Sequence, residues 1–142
     1  VLDLFDTAAV NALHARYGDV NLYMRTVLHQ IEPEHRQAFA ASLRTLLGTT
    51  GVLAFVELAI SAEQYLHDLV ERYGAPSGLT RILSTGIRPG SVDRDQALAL
   101  LGADRFTVLA EGDALVHTTF TLPDGERAQV PAYFMALRHN PA

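Results

Sequence analysis

The stretch Gly51–Ile60, Gly-Val-Leu-Ala-Phe-Val-Glu-Leu-Ala-Ile, is apolar at nearly every position. A half-exposed strand would alternate, so this run implies a strand covered on both faces, and hence a parallel one. The flanking sequence supplies the helices that parallel strands need. Upstream, Phe39, Leu43, Leu46 and Leu47 form an apolar stripe on a helix that opens at Pro33 and stops at Gly48. Downstream, Ser61 and Gln64 have capping-box spacing, and Tyr65, Leu66, Leu69, Val70 and Tyr73 form the next buried face. Gly74-Ala75-Pro76 closes that helix.

The same reading extends to both ends. Val1–Phe5 reads as a short strand, followed by Asp6-Thr7 as cap of a helix that carries Val10, Leu13 and Tyr17 and ends at Gly18. Val20–Ile31 opens as a strand and becomes polar towards its far end. Tyr73–Gly90, rich in Gly and Pro, is expected to form a short helix or lid-like loop, and Ser91 to cap a helix through Leu101. After Asp104 the pattern changes to strands over Phe106–Ala110, Ala114–Leu122 and Arg127–Leu137, with turns at Glu-Gly-Asp and Pro-Asp-Gly-Glu. Three βα units and an antiparallel ending predict a doubly wound α/β sheet with an antiparallel edge. No repeat or linker divides residues 1–142, which read as a single domain.

Composition removes several chemistries. The 142 residues contain no cysteine, which excludes disulfides, thiolate nucleophiles and cysteine-ligated metals. All 11 basic residues are arginine, so Schiff-base chemistry and a P-loop lysine are not encoded. A net charge of −5 with no arginine cluster argues against nucleic acid as partner. No apolar stretch is long enough to span a bilayer, and nothing at the start resembles a signal peptide. A soluble, cytoplasmic domain is the expectation. No histidine pair has metal-ligand spacing, and none is expected to bind a metal; His14, His67, His117 and His139 are expected to be solvated.

In open α/β sheets, ligands bind beyond the carboxyl ends of the parallel strands. Three places qualify: Asp3-Leu4-Phe5-Asp6, the segment from Met24-Arg25 to His29-Gln30, and Glu57-Leu58. At these places the sequence resembles the class I S-adenosylmethionine-dependent methyltransferases. Asp3-Leu4-Phe5-Asp6 is similar to their acidic motif after the third strand, and Tyr23–Ile31 to their fourth strand ending in Val-Leu-His. Thr49-Thr50-Gly51-Val52-Leu53 resembles the approach to the fifth strand, Glu57 stands where the family often has Glu, and Ala132–Arg138 resembles the last antiparallel strand. No Gly-x-Gly-x-Gly occurs, so the cofactor loop and the first two strands of the family fold lack counterparts here. The implied architecture is a Rossmann-like, partly parallel sheet with helices on both faces and an antiparallel C-terminal hairpin, the C-terminal portion of a methyltransferase domain.

The resemblance implies S-adenosylmethionine as cofactor and a small-molecule acceptor, methylated at oxygen. It implies that Asp3 accepts the adenine amino group, that Leu4 lies against the ring, and that Met24 and Arg25 line the methionine end. It implies His29 as general base; an unperturbed imidazole with a pKa of about 6.5 suits that task. The small-molecule O-methyltransferase branch has His-Asp-Trp where this chain has His29-Gln30-Ile31. Each residue also has a structural reading. His29 could be a hydrogen-bonded strand-end histidine, Asp3 a turn and Asp6 a helix cap, and Arg25 a partner for Glu57 or Glu32. Glu57, in an apolar strand, needs a partner if buried, and Arg25 is a candidate. A strand edge left open by the missing strands implies a homodimer or association with a missing N-terminal half, and a chain that begins at Val1 within a strand-like stretch suggests processing or a fragment. The alternative function is a non-catalytic dimerisation or interaction module that keeps half the fold.

Overall fold

A computed structural model describes residues 2–74 and 88–140. Among these, α1 (Thr7–Tyr17), β1 (Leu22–Arg25), α2 (Arg36–Leu47), β2 (Val52–Leu58), α3 (Ala62–Tyr73), α4 (Arg94–Leu101), β3 (Phe106–Thr121) and β4 (Arg127–His139) succeed one another along the chain. The sheet order is β1-β2-β4-β3. β1 and β2 are parallel, and β4 runs antiparallel to both β2 and β3. The expected α/β sheet with an antiparallel hairpin is therefore present.

The alternation of side chains along β2 and β4 assigns the helices to the two faces. Leu53 and Phe55 of β2 and Met135 and Leu137 of β4 point one way, into a core closed by Phe39, Leu43 and Leu47 of α2 and Ala97 and Leu101 of α4. Leu58, Ala128 and Val130 point the other way, against Ala62, Leu66 and Leu69 of α3. β2 is covered on both sides only at its carboxyl end; Val52, Ala54 and Val56, on the second face, are half-buried, so the expectation of a strand covered throughout is met only in part.

Four local expectations give way to local chemistry. Residues 2–5 form a turn, not a strand: Asp3 Oδ1 accepts from the Phe5 N–H at 2.9 Å and the Asp3 carbonyl from the Asp6 N–H at 3.1 Å. Among the described residues no neighbouring strand supplies ladder bonds there. Asp6 caps α1, accepting from the Ala9 N–H at 3.0 Å, and Gly18 ends it. The Ser61–Gln64 capping box does not form; Ser61 already has helical dihedrals, and Gln64 donates to Asp68 instead. The capping box belongs to Asp93 and Gln96, so α4 starts there and not at Ser91.

Glu111-Gly112-Asp113 makes no turn and lies inside β3. Gly112 faces Phe134 across the ladder, and a Cβ on it would come within 2.8 Å of the ring. The glycine is there to admit an aromatic ring, not to reverse the chain. The irregularities in β3 fall between Val108 and Ala110, where Leu109 is extra, and between His117 and Thr121. Most of the expected lid-like loop, residues 75–87, lies outside the described residues.

Asp19 ties the entry of β1 to the entry of β2. Its Oδ2 accepts from the Thr49 and Thr50 backbone N–H groups at 2.7 and 3.0 Å and from both hydroxyls. Its Oδ1 meets His14 Nε2 at 2.9 Å, so His14 is engaged and not free in solvent. His139 is also not solvated: it is buried against Phe106, with Nδ1 on the Gly48 carbonyl. The bond to His14, then those to Thr49 and Thr50, hold the Asp19 carboxyl well below the usual carboxylate range.

A carboxyl depressed by folding stabilises the native state above its unfolded pKa of about 4, and that contribution is lost as pH falls below it. Asp19→Asn is therefore expected to melt below wild type at pH 7, with the gap closing as pH falls from about 4 towards 2. Thermal melts of both proteins across that range check it; a constant gap would assign the effect to shape and not charge.

Candidate active site

The two parallel strands end side by side, and the site is built from the residues just beyond their carboxyl ends. The last ladder bond of β1 runs from the Thr26 N–H to the Val56 carbonyl at 2.7 Å. Thr26 then takes φ +54°, a left-handed conformation that a β-branched residue adopts only under strain of about 1–3 kcal/mol. This reversal ends the strand earlier than the apolar pattern of Val20–Ile31 suggests. It feeds a single 3-10 turn, Leu28–Gln30, with His29 at its centre. The Gln30 side chain donates to the Thr26 carbonyl at 2.5 Å and braces the turn.

Glu57, on β2, is fully buried, where an unpaired carboxylate would be costly. Its partners are three. Oε2 accepts from the Leu28 N–H at 2.7 Å, Oε1 from the Leu58 N–H at 2.9 Å, and Oε1 lies 2.5 Å from His29 Nδ1. The side chains of His29 and Glu57 are only 6% and 1% exposed. The expectation that Arg25 partners Glu57 is incorrect. Arg25 is exposed, on an outward position of β1, and donates to the His117 carbonyl at 3.2 Å.

Across the β2–β4 ladder, Glu57 stands opposite Tyr133. The Tyr133 hydroxyl donates to the Val92 carbonyl at 2.9 Å. Burial, then the charges of Glu57 and Asp93, push this phenol above its ordinary value despite the opposing pull of Arg94. The Tyr133 hydroxyl proton is engaged with the Val92 carbonyl. Beyond the end of β2 opens a cleft of about 610 Å³, walled by Ile60, Ser61, Asp93, Arg94, Glu111 and Tyr133. Gly90 crosses the end of β2 at φ +79°, where a Cβ would sit 2.2 Å from the Ala59 carbonyl oxygen. Only glycine permits that approach.

The other sequence-derived site residues occupy separate places around the strand ends. Asp3 is exposed, with Oδ1 held by its own turn, and Leu4 is half-buried against the main core. The Met24 side chain lies inside that core, so only its backbone faces the strand end. Arg25 and His29 leave the same strand end in different directions, one to the His117 carbonyl and one to Glu57. The His29–Glu57 pairing is the feature that sequence reasoning missed. The available signal was that both residues lie at the carboxyl ends of strands expected to be parallel neighbours.

The fold is matched in known structures. A SAM-dependent methyltransferase from Anabaena variabilis superposes with a TM-score of 0.85 at 34% identity, over 98% of this chain and 57% of that one. The chain has the fold of a class I S-adenosylmethionine-dependent methyltransferase. A protein described for the conversion of a disulfide bond into a thioacetal group during echinomycin biosynthesis matches with a TM-score of 0.61 at 19% identity, over 99% and 54% of the two chains. A SAM-dependent methyltransferase from Methanosarcina mazei matches at 0.51 and 15%, over 86% and 58%. This chain thus spans little more than half the length of these proteins. No family model matches the sequence, and no curated relative does. Among the described residues no helix is long and apolar enough to cross a membrane.

Removing Glu57 leaves the buried N–H groups of Leu28 and Leu58 and the His29 ring without their acceptor. Glu57→Ala is expected to cost about 3 kcal/mol or more, measured by urea unfolding. A loss under about 1 kcal/mol would mean the carboxylate is not held as described.

Proposed function

We propose that this protein takes part in methyl transfer from S-adenosylmethionine to a hydroxyl of a small-molecule acceptor, with His29 as general base. The observation that carries the proposal is the buried His29–Glu57 pair at the adjoining carboxyl ends of β1 and β2. Ligands of open α/β sheets bind at such strand ends, and the similarity to the Anabaena methyltransferase covers this whole segment. When bound, the cofactor supplies an electrophilic methyl group.

The residues present suit part of such a cofactor. Asp3 offers an exposed carboxylate to the adenine amino group, half-buried Leu4 an apolar contact to the ring, and exposed Arg25 a cation to the methionine carboxylate. Met24 contributes backbone at the strand end, its side chain being committed to the core. The assignment of Asp3, Leu4, Met24 and Arg25 to the cofactor rests on the resemblance.

The chain's own residues then divide the remaining work. The cleft beyond β2 has the size of a small-molecule site, within the range of about 300–1,000 Å³, and holds the acceptor. Its mixed lining, an exposed Ile60 beside Ser61, Arg94 and Glu111, offers both an apolar surface and hydrogen-bonding groups. His29 takes the hydroxyl proton as the oxygen becomes nucleophilic, which a positioned imidazole accelerates by about 10²–10⁴-fold. Burial of the dyad keeps water from competing for the same proton.

The test is a methyl-transfer assay against a panel of small hydroxylated acceptors, with calorimetric titration of S-adenosylhomocysteine. His29→Ala is expected to lower kcat by about 10²–10⁴-fold while cofactor affinity stays within twofold of wild type. Asp3→Ala is expected to do the reverse, weakening cofactor binding with little change in kcat at saturation. Full activity in His29→Ala would end the general-base reading.

A further inference from the structure

We infer that Gln30 is a positioning residue for His29: its side-chain amide supplies the donor that the Thr26 carbonyl loses when the chain leaves the ladder, and so holds the left-handed turn that carries the imidazole. The inference rests on His29 being the base. It follows from where the hydrogen bonds at the end of β1 go.

In a parallel pair, a residue that donates its N–H to a carbonyl of the partner strand receives, at its own carbonyl, the N–H two positions further along that strand. The Thr26 N–H donates to the Val56 carbonyl at 2.7 Å, so the regular return bond would run from the Leu58 N–H to the Thr26 carbonyl. The Leu58 N–H instead donates to Glu57 Oε1 at 2.9 Å. Thr26, at φ +54°, has turned off the ladder, and the donor that meets its carbonyl is Gln30 Nε2 at 2.5 Å. A side chain four residues on thus stands in for a backbone N–H.

The neighbouring carbonyl is satisfied in the same manner, since Thr26 Oγ1 donates to the Arg25 carbonyl at 2.8 Å. A β-branched residue stays left-handed only where its surroundings over-determine it. The Val56 bond holds Thr26 from one side, and Gln30 holds it from the other. Gln30 also donates its own N–H to the Val27 carbonyl at 3.0 Å, so its main chain and side chain both close on the start of the turn, with His29 inside the loop they make. Without the amide, Thr26 is free to relax towards ordinary dihedrals, and the turn and the imidazole shift with it.

The role selects glutamine. It needs an N–H donor at the end of two methylenes. Aspartate, which follows the histidine in the His-Asp-Trp of the branch this segment resembles, has neither the donor nor the length. The departure at Gln30 is therefore a different way of holding the turn, and not a loss of function at that position.

Gln30→Met tests this, because it keeps the length, adds no charge and removes the donor. Amide hydrogen exchange, followed by NMR, is the first readout. The Leu28 and Gln30 amides are expected to exchange about five- to tenfold faster in Gln30→Met, as for the loss of one hydrogen bond, with Phe55 and Met135 in the core within twofold of wild type. In Thr26→Gly/Gln30→Met those two amides are expected to exchange no faster than in Thr26→Gly alone, because glycine holds φ +54° without strain and needs no brace. Wild-type exchange in Gln30→Met, equal acceleration in the core, or additive effects in the double variant would overturn the inference. The second readout is kinetic. Gln30→Met is expected to lower kcat by about tenfold or more with acceptor KM within threefold, and Thr26→Gly/Gln30→Met to return to within threefold of Thr26→Gly. Wild-type kcat in Gln30→Met, or a loss confined to KM, would overturn the positioning role. The exchange readout needs no turnover, and full activity in His29→Ala counts against the base reading alone, so the two failures are distinguishable.

Discussion

One buried carboxylate decides how the two parallel strands finish. Glu57 sits in an apolar strand with no exposed surface, and burying it is tolerable only because Leu28, Leu58 and His29 direct donors at it. That requirement brings the turn after β1 against the end of β2. The strain at Thr26 is a consequence, as the chain must reverse sharply after Arg25 to deliver the Leu28 N–H and the His29 ring to the same carboxylate. Strain of this kind persists where surrounding bonds over-determine the backbone, and here the Gln30 and Glu57 contacts do so.

The rest of the fold supports that junction in four ways. Asp19 gathers Thr49 and Thr50, which sets the two strands' amino ends level. The α2–α4 layer closes one face through Leu53, Phe55, Met135 and Leu137, and α3 covers the other beyond Leu58. On β4, Tyr133 stands beside Glu57 and binds the Val92 carbonyl, linking the segment before α4 to the sheet. The cleft is walled on the β4 and α4 sides by Tyr133, Asp93 and Arg94.

Much of this was legible from residue patterns because it depends on local rules. Gly18, Gly48 and Gly102 mark helix ends, and the apolar run at Gly51–Ile60 marks the covered strand. The resemblance carried by Tyr23–Ile31 and Glu57 placed the fold among the methyltransferases, and the structural match agrees. The illegible parts depend on contacts distant in sequence. Gly112 has the signature of a turn because the ring of Phe134 that it accommodates lies across the ladder. Arg25 is the nearest cation to Glu57 by strand position, yet strand alternation turns it outward. A histidine brought round by a reversed Thr26 meets Glu57 instead, and no spacing rule announces a left-handed threonine.

The central claim is that the carboxyl ends of β1 and β2 form the functional centre. The most direct measurement is a titration of ¹⁵N-labelled protein with S-adenosylhomocysteine, tracking backbone amide shifts. The account predicts the largest changes at Leu4–Phe5, Arg25–Gln30 and Leu58–Ser61, with the α3 surface and the β3–β4 turn unmoved. Changes centred on α3 or on that turn would contradict it, as would no change at millimolar ligand.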